Sequence, residues 1–249
     1  MKNRLQNFKL TIEYDGSRYH GWQRQRDART IQGEIEAGLK TMTGKAVTLI
    51  GSGRTDAGVH ACGQVANFHS VTTLKPEVFQ KGLNSLLPDD IVIRHCVGVP
   101  QEFHARYDAK SKTYHYKILN RPLPAAIGRQ YAWWIRQKLD LQNMRSALAH
   151  LLGSHDFKAF EGSGSPRADT TRYVIRADLV EKKRGILIFQ IEANGFLRFM
   201  VRNIVGTLVS VGRGKLTSDD FGRILDSKDR SQAGATAPAL GLFLMEVRY

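Results

Sequence analysis

In "FKLTIEYD", Phe8, Leu10, Ile12 and Tyr14 alternate with polar residues, the period of a strand with one buried face. Ile31, Ile35, Leu39 and Met42 then recur at helical spacing. "AVTLIG" (46–51) and "QVANF" (64–68) have strand character on either side of a glycine-rich run. Pro76 opens a second helix, as proline does in a first helical turn, with Phe79, Leu83 and Leu86 turned inward. "IVIRHCVGV" (91–99) alternates again, so the order is β-α-β-β-α-β.

The second half repeats the order. "KTYHYKIL" (112–119) predicts a strand, and "DLQNMRSALAHLLG" (140–153) a helix with Leu141, Met144, Leu148 and Leu151 inward and Gly153 as its stop. Residues 171–193 predict a hairpin turning at Lys183–Gly185. "LRFMVRNIVGTLVSV" (197–211) predicts a long, largely apolar helix, and "GLFLMEVRY" (241–249) a closing strand. Between them an insertion holds a short helix begun by Ser218, with Asp219 and Asp220 in its first turn. The pattern predicts an α+β fold of two ferredoxin-like β-α-β-β-α-β halves, with mainly antiparallel sheets side by side and a basic cleft between them. The halves are 1–104 and 105–249, with the boundary in 104–111, and "EGSGSPRADTTR" (161–172) is expected to be a flexible loop.

Charge sharpens this picture. The net charge is +14, unevenly spread: residues 1–104 hold 13 Lys and Arg against 10 Asp and Glu, residues 105–249 hold 24 against 13. A basic second half points to a polyanionic partner, nucleic acid above all. No stretch approaches the roughly 20 apolar residues of a membrane helix, and "MKNRLQNFKLTIEYDG" has no apolar core of a secretory signal. Cys62 and Cys96 are expected to be buried, reduced thiols, and with the scattered histidines they make no zinc spacing. The expectation is a cytoplasmic protein with no membrane contact, metal or cofactor.

"GSGRTDAGVHACGQVANF" (51–68) carries the candidate chemistry. It lacks the Gly-Lys-Ser/Thr ending of a phosphate-binding loop and opens no helix as a dinucleotide turn does. Asp56 is either a turn aspartate bonding backbone amides or a reactive carboxylate. Beside Arg54 it is expected to stay ionised, which suits a nucleophile or an electrostatic anchor better than a general acid. No second carboxylate accompanies it, against paired acid/base glycoside chemistry.

The run from Gly53 to Phe68 resembles the catalytic motif of the tRNA pseudouridine synthase A family. "YDGSRYHGWQRQ" (14–25), "TIQGEIEAGL" (30–39), "LNSLLPDDI" (83–91), "FHARYDAKSKTYHYKI" (103–118) and "ANGFLRFMVRNIVGTLVSVGRGK" (193–215) resemble further family blocks in family order, across nearly the whole chain. The resemblance implies isomerisation of uridine to pseudouridine in tRNA, without cofactor or metal, typically at positions 38 to 40 of the anticodon stem-loop. It implies that Asp56 is the catalytic nucleophile, Tyr114 the active-site tyrosine and Arg202 the arginine that pairs with the nucleophile. It implies a homodimer whose two subunits both contact tRNA.

The residues suit that chemistry. A carboxylate can add either to C6 of uracil or to C1′ of the ribose, and a cation such as Arg202 stabilises the departing uracil best where water is excluded. Tyr114 shares a strand face with Tyr116 and Ile118, and its ring can stack on a flipped base while its hydroxyl takes part in proton removal from C5. Tyr116 reads as a core aromatic. Arg54 is expected to bind substrate, by holding a phosphate or helping to extrude the nucleotide; a structural ion pair is the other reading. His60 reads as a turn hydrogen-bond partner, and Trp22, Trp133 and Trp134 as core or interface residues rather than RNA-stacking ones. "RDAR" (26–29), Arg167, Arg172 and "KKR" (182–184) offer backbone contacts to RNA. A synthase acting on other RNA sites, and a non-catalytic RNA-binding protein on the same fold, are the alternatives.

Overall fold

Phe8, Leu10, Ile12 and Tyr14 face inward along β1 (Arg4–Tyr14), as their alternation requires. The computed structural model describes residues 4–162, 164 and 168–249. They contain ten strands and five helices, in two compact units. One unit is Met1–Lys110 with Leu244–Tyr249; the other is Ser111–Phe243.

In the first unit, β1 lies antiparallel to both β3 (His60–Thr72) and β4 (Ile91–Val99), with Phe8 opposite Phe68 and Leu10 opposite Ala66 and Cys96. One face of these strands packs on α1 (Ile31–Thr43) and α2 (Pro76–Leu86). There Phe8, Phe68 and Phe79 meet with ring centroids 4.8–5.2 Å apart. Thr30 caps α1 by accepting from Gly33 N, and Pro76 opens α2 as the sequence predicts. Leu86, expected inward, is exposed at the last turn of α2.

The strand expected over 46–51 is reduced to β2 (Ile50–Gly51), paired with Asn67 and Ala66. Side chains of α1 explain the shortening. Glu36 Oε1 accepts from Leu49 N at 2.9 Å and Gln32 Nε2 donates to Leu49 O at 3.0 Å, so these backbone groups are satisfied without a ladder. The closing strand β10 (Leu242–Arg248) divides between the units, its residues from Leu244 onward lying in the first. There it borders β3, giving the strand order β4-β1-β3-β10. Lys110 N donates to Arg248 O at 2.8 Å, and the Tyr249 hydroxyl to Ala105 O at 2.7 Å.

In the second unit the order is β5-β9-β8-β7, from β5 (Ser111–Asn120), β9 (Ile186–Ala193), β8 (Thr171–Lys182) and β7 (Gly153–Asp156). The three pairings are antiparallel. The β8–β9 hairpin turns at Lys183–Gly185, where Arg184 and Gly185 take positive φ of 64° and 75°. Two strands have no counterpart in the sequence reading: β7, and β6 (Trp133–Ile135), which runs parallel to β5. The remaining helices are α3 (Leu141–Leu148), α4 (Met200–Gly212) and α5 (Ser218–Ser227). α4 is buried almost all round, as a helix apolar on every face must be. α5 is held by a reciprocal cap between Thr217 and Asp220.

Neither cysteine forms a disulfide. Cys96 is buried, but Cys62 is exposed, against the expectation of two buried thiols. Burial pushes the Cys96 thiol up to about 12, with the Glu77 charge adding to the effect.

Candidate active site

Asp56 sits in the turn between β2 and β3, half-buried, with its carbonyl accepting from Val59 N at 3.2 Å. Gly58 inside that turn has a φ of 77°, the left-handed region glycine occupies without strain. The segment 14–22 clasps the turn: Trp22 N donates to Thr55 O at 3.0 Å, and Gly58 N to Tyr19 O at 3.3 Å. Contact is so close at Gly16 that a Cβ there would lie 2.0 Å from Val59 O.

Beneath the turn lies a buried polar cluster. The hydroxyls of Tyr14 and Thr55 share a hydrogen bond of 2.8 Å. Gln64, fully buried, accepts from Ser52 Oγ at 2.7 Å and donates to Gly53 O at 3.1 Å and to the Tyr14 hydroxyl at 3.5 Å. These bonds satisfy side chains that would otherwise be costly to bury. Burial pushes the Tyr14 phenol well above its ordinary value, so it stays protonated. His60, 2% exposed, places Nδ1 3.1 Å from Gly16 N and 3.0 Å from Asp15 Oδ1. An unprotonated Nδ1 accepts from Gly16 and a protonated one donates to Asp15; either fixes the turn. The reading of His60 as a turn partner agrees with this position. Sequence reasoning passed over Tyr14, Ser52, Thr55 and Gln64. Gln64 is one of several buried polar residues of β3, with His60, Asn67 and Ser70, so its type alone does not single it out.

Arg54, two residues before Asp56, is exposed. In the loop 24–29, Arg24 pairs with Glu36 at 2.8 Å and Arg29 with Glu34 at 2.7 Å, while the Arg29 guanidinium lies 4.9 Å over the Tyr19 ring. Trp22 is a core residue at 2% exposure, Trp133 is half-buried and Trp134 is exposed. Arg167 lies outside the described residues.

Tyr114 and Arg202 belong to the second unit. Tyr114 is buried on β5 opposite Ile191, with its ring edge-on to Phe196 at 5.0 Å. Tyr116, on the same face, is fully buried and donates its hydroxyl to Pro238 O at 2.7 Å, as a core aromatic does. Burial raises the Tyr116 phenol, and the positive charge of Arg202 opposes that rise. On the opposite face, His115 is held below its ordinary value, first by burial and then by Lys117 and Arg176, and is neutral at pH 7.

Arg202 projects from the first turn of α4, half-buried. Its Nε donates to Ala237 O at 2.8 Å, and its guanidinium lies 4.9 Å over the Phe199 ring. Phe199 caps α4 with a positive φ of 60°, strained for an aromatic residue. The arginine is therefore positioned by neighbours rather than left to snorkel to water. A half-buried carboxylate in a turn of one unit, and a buried tyrosine and a half-buried arginine in the other, are residue types able to form and stabilise a covalent intermediate. Among the described residues no group of three His, Cys, Asp or Glu side chains is placed to hold a metal ion, and no helix is long and apolar enough to cross a membrane.

A profile of the tRNA pseudouridine synthase family matches residues 10–108 and 147–249. A tRNA pseudouridine synthase A from Acetivibrio thermocellus is 48% identical over 245 residues, 98% of this chain and 100% of its own. One from Thermoanaerobacter sp. (strain X514) is 48% identical over 246 residues, with the same shares of the two chains. One from Pseudothermotoga lettingae is 42% identical over 245 residues, again 98% and 100%. Among solved structures, an H/ACA RNP bound to a substrate RNA containing 2′-deoxyuridine is 11% identical and covers 81% of this chain and 44% of its own. Its TM-score is 0.37.

Proposed function

This chain belongs to the tRNA pseudouridine synthase A family, and from that premise we propose that it modifies uridines 38 to 40 of the anticodon stem-loop through nucleophilic attack by Asp56. The enzyme is an isomerase that converts uridine to pseudouridine in tRNA. The reaction breaks the C1′–N1 bond, forms C1′–C5, removes the proton from C5 and returns one to N1. No atom or electron is gained or lost, so the chemistry requires no redox partner or group donor.

The observation that carries the reading is the setting of Asp56. A turn is held by a buried cluster and by the clasping segment 14–22, and it carries one carboxylate two residues after the exposed Arg54. A merely structural turn aspartate has no need of such support. Asp56 attacks either C6 or C1′, giving a covalent intermediate. Arg202 stabilises the negative charge of the detached uracil. Tyr114 stacks on the flipped base, and its hydroxyl participates in removing the C5 proton. Arg54 binds a phosphate or helps extrude the nucleotide. The basic residues 105–249 supply sequence-independent contacts to the RNA backbone. By family likeness the protein works in the cytoplasm as a homodimer that contacts one tRNA with both subunits.

The test is pseudouridine mapping on tRNA transcripts treated with purified protein. Conversion at 38, 39 and 40 is expected, and none elsewhere. Conversion only at other positions overturns the assigned target. Unchanged turnover by Asp56→Asn overturns the nucleophile.

A further inference from the structure

Residues 229–238 form no regular element and are partly exposed, yet four successive residues are tied to one face of α4. Gly234 N donates to Thr207 Oγ1 at 2.9 Å, and Thr207 Oγ1 donates to Asn203 O at 2.8 Å. Next, Ala235 O approaches the helix so closely that a Cβ on Gly206 would lie 1.7 Å from it. Any side chain at Gly206 would lift the segment away. Thr236 Oγ1 then donates to Asn203 Oδ1 at 2.6 Å. Last, Ala237 makes a reciprocal pair with Arg202: its N–H donates to Arg202 O at 3.1 Å, and its carbonyl accepts from Arg202 Nε at 2.8 Å. Pro238 O continues the run by accepting from the Tyr116 hydroxyl.

Arg230 pins this arrangement. One terminal nitrogen donates to Asn203 Oδ1 and Thr236 Oγ1, each at 3.1 Å, and the other to Ala233 O at 3.2 Å. Asn203 is fully buried and donates its own amide to Phe160 O at 2.8 Å. Arg230 thus spends its donors on its own segment and on α4, where a phosphate-binding arginine would turn them to solvent. An arginine side chain has many rotamers, and a single bond at Nε removes most of them if the acceptor is itself immobile.

We infer that 229–238 is a strap that aims the Arg202 guanidinium, and that Arg230 and Thr236 are positioning residues for the isomerisation, acting through Asn203 and Ala237. This rests on the reading of Arg202 as the cation beside the reacting nucleoside. If the strap slackens, Ala237 O shifts and Arg202 leaves the geometry in which it meets developing charge. Small displacements of such groups cost catalysis far more than binding.

The experiment uses the full chain and a tRNA transcript, measuring kcat, KM, salt dependence of binding and Tm. Thr236→Val removes the hydroxyl at an exposed site, and Arg230→Gln removes the pin. Each is expected to lower kcat about tenfold, with KM within about twofold and little change in Tm. Thr236→Ser, which keeps the hydroxyl, is expected to restore kcat. Combined with Arg202→Lys, neither change adds a further loss, because both act through the same side chain. Wild-type kcat in Thr236→Val and Arg230→Gln, with Arg202→Lys impaired, overturns the strap and spares the reading of Arg202. Full turnover by Arg202→Lys overturns that reading. A raised KM with a shallower salt slope in Arg230→Gln makes Arg230 a phosphate contact and overturns its positioning role. Losses that multiply in the double variants also overturn the inference.

Discussion

The two units hold their proposed reactive groups by different means. In the first, Asp56 lies on a turn, and its place is fixed by a buried polar cluster and a clasping loop. In the second, Tyr114 and Arg202 stand on a strand and a helix, so backbone position follows from regular hydrogen bonding. Only the direction of the Arg202 side chain needs further fixing, and Ala237 and Phe199 supply it. A loop site requires buried side chains dedicated to support, whereas a site on regular elements requires only side-chain contacts. The first arrangement should be the more fragile to single substitutions.

The strongest break of this comparison is at its centre. Asp56→Asn should lower turnover at least about a thousandfold, measured as pseudouridine formed per enzyme. Its affinity for tRNA should stay within about threefold, because phosphate contacts dominate binding. Gln64→Leu should follow. It strands buried Ser52 Oγ and half-buried Gly53 O, at about 2–3 kcal/mol, or a Tm lower by about 5–10 °C for a chain of this size. Turnover should fall with it, as the turn above loses its footing. Tyr14→Phe should cost less, about 1 kcal/mol, since Thr55 alone loses a strong partner.

The smallest effect belongs to the second unit's surface. Asp220 is held at about 2, first by the Thr217 backbone N–H, then by the Thr217 hydroxyl and by Arg223. A depressed carboxylate stabilises the fold above its unfolded value, near 4, and loses that contribution as pH falls toward 2. Asp220→Asn should therefore lower Tm slightly at pH 7, and the two proteins should converge near pH 2. A pH-independent gap would show that the cap, not the charge, carries the effect.

The elements were legible where burial has a period. Phe8 to Tyr14, Ile31 to Leu39 and Ile91 to Val99 each have one wet and one dry face, and periodicity reads that difference. β2 was overestimated because Leu49 satisfies its backbone with Gln32 and Glu36, a tertiary choice without local signal. β6 and β7 are too short to show a period. Asp56, Tyr114 and Arg202 were singled out by motif resemblance, with Arg54. Their supports were not: Gln64 is one of several polar residues in β3, and Arg230 looks like any surface arginine until its acceptors are seen. Cys62 shows the limit of composition, since cysteine's usual preference for burial says nothing about one strand's exposed face.

The division of β10 between the units has a consequence for synthesis. Ribosomes make the first unit's opening 110 residues early, but Leu244–Arg248, which flanks β3, emerges only after the entire second unit. At about 5–20 residues per second this interval is on the order of ten seconds. Throughout it the edge of β3 is covered only by the short β2 and is otherwise unpaired, the kind of surface that nascent-chain chaperones shield from neighbouring polypeptides.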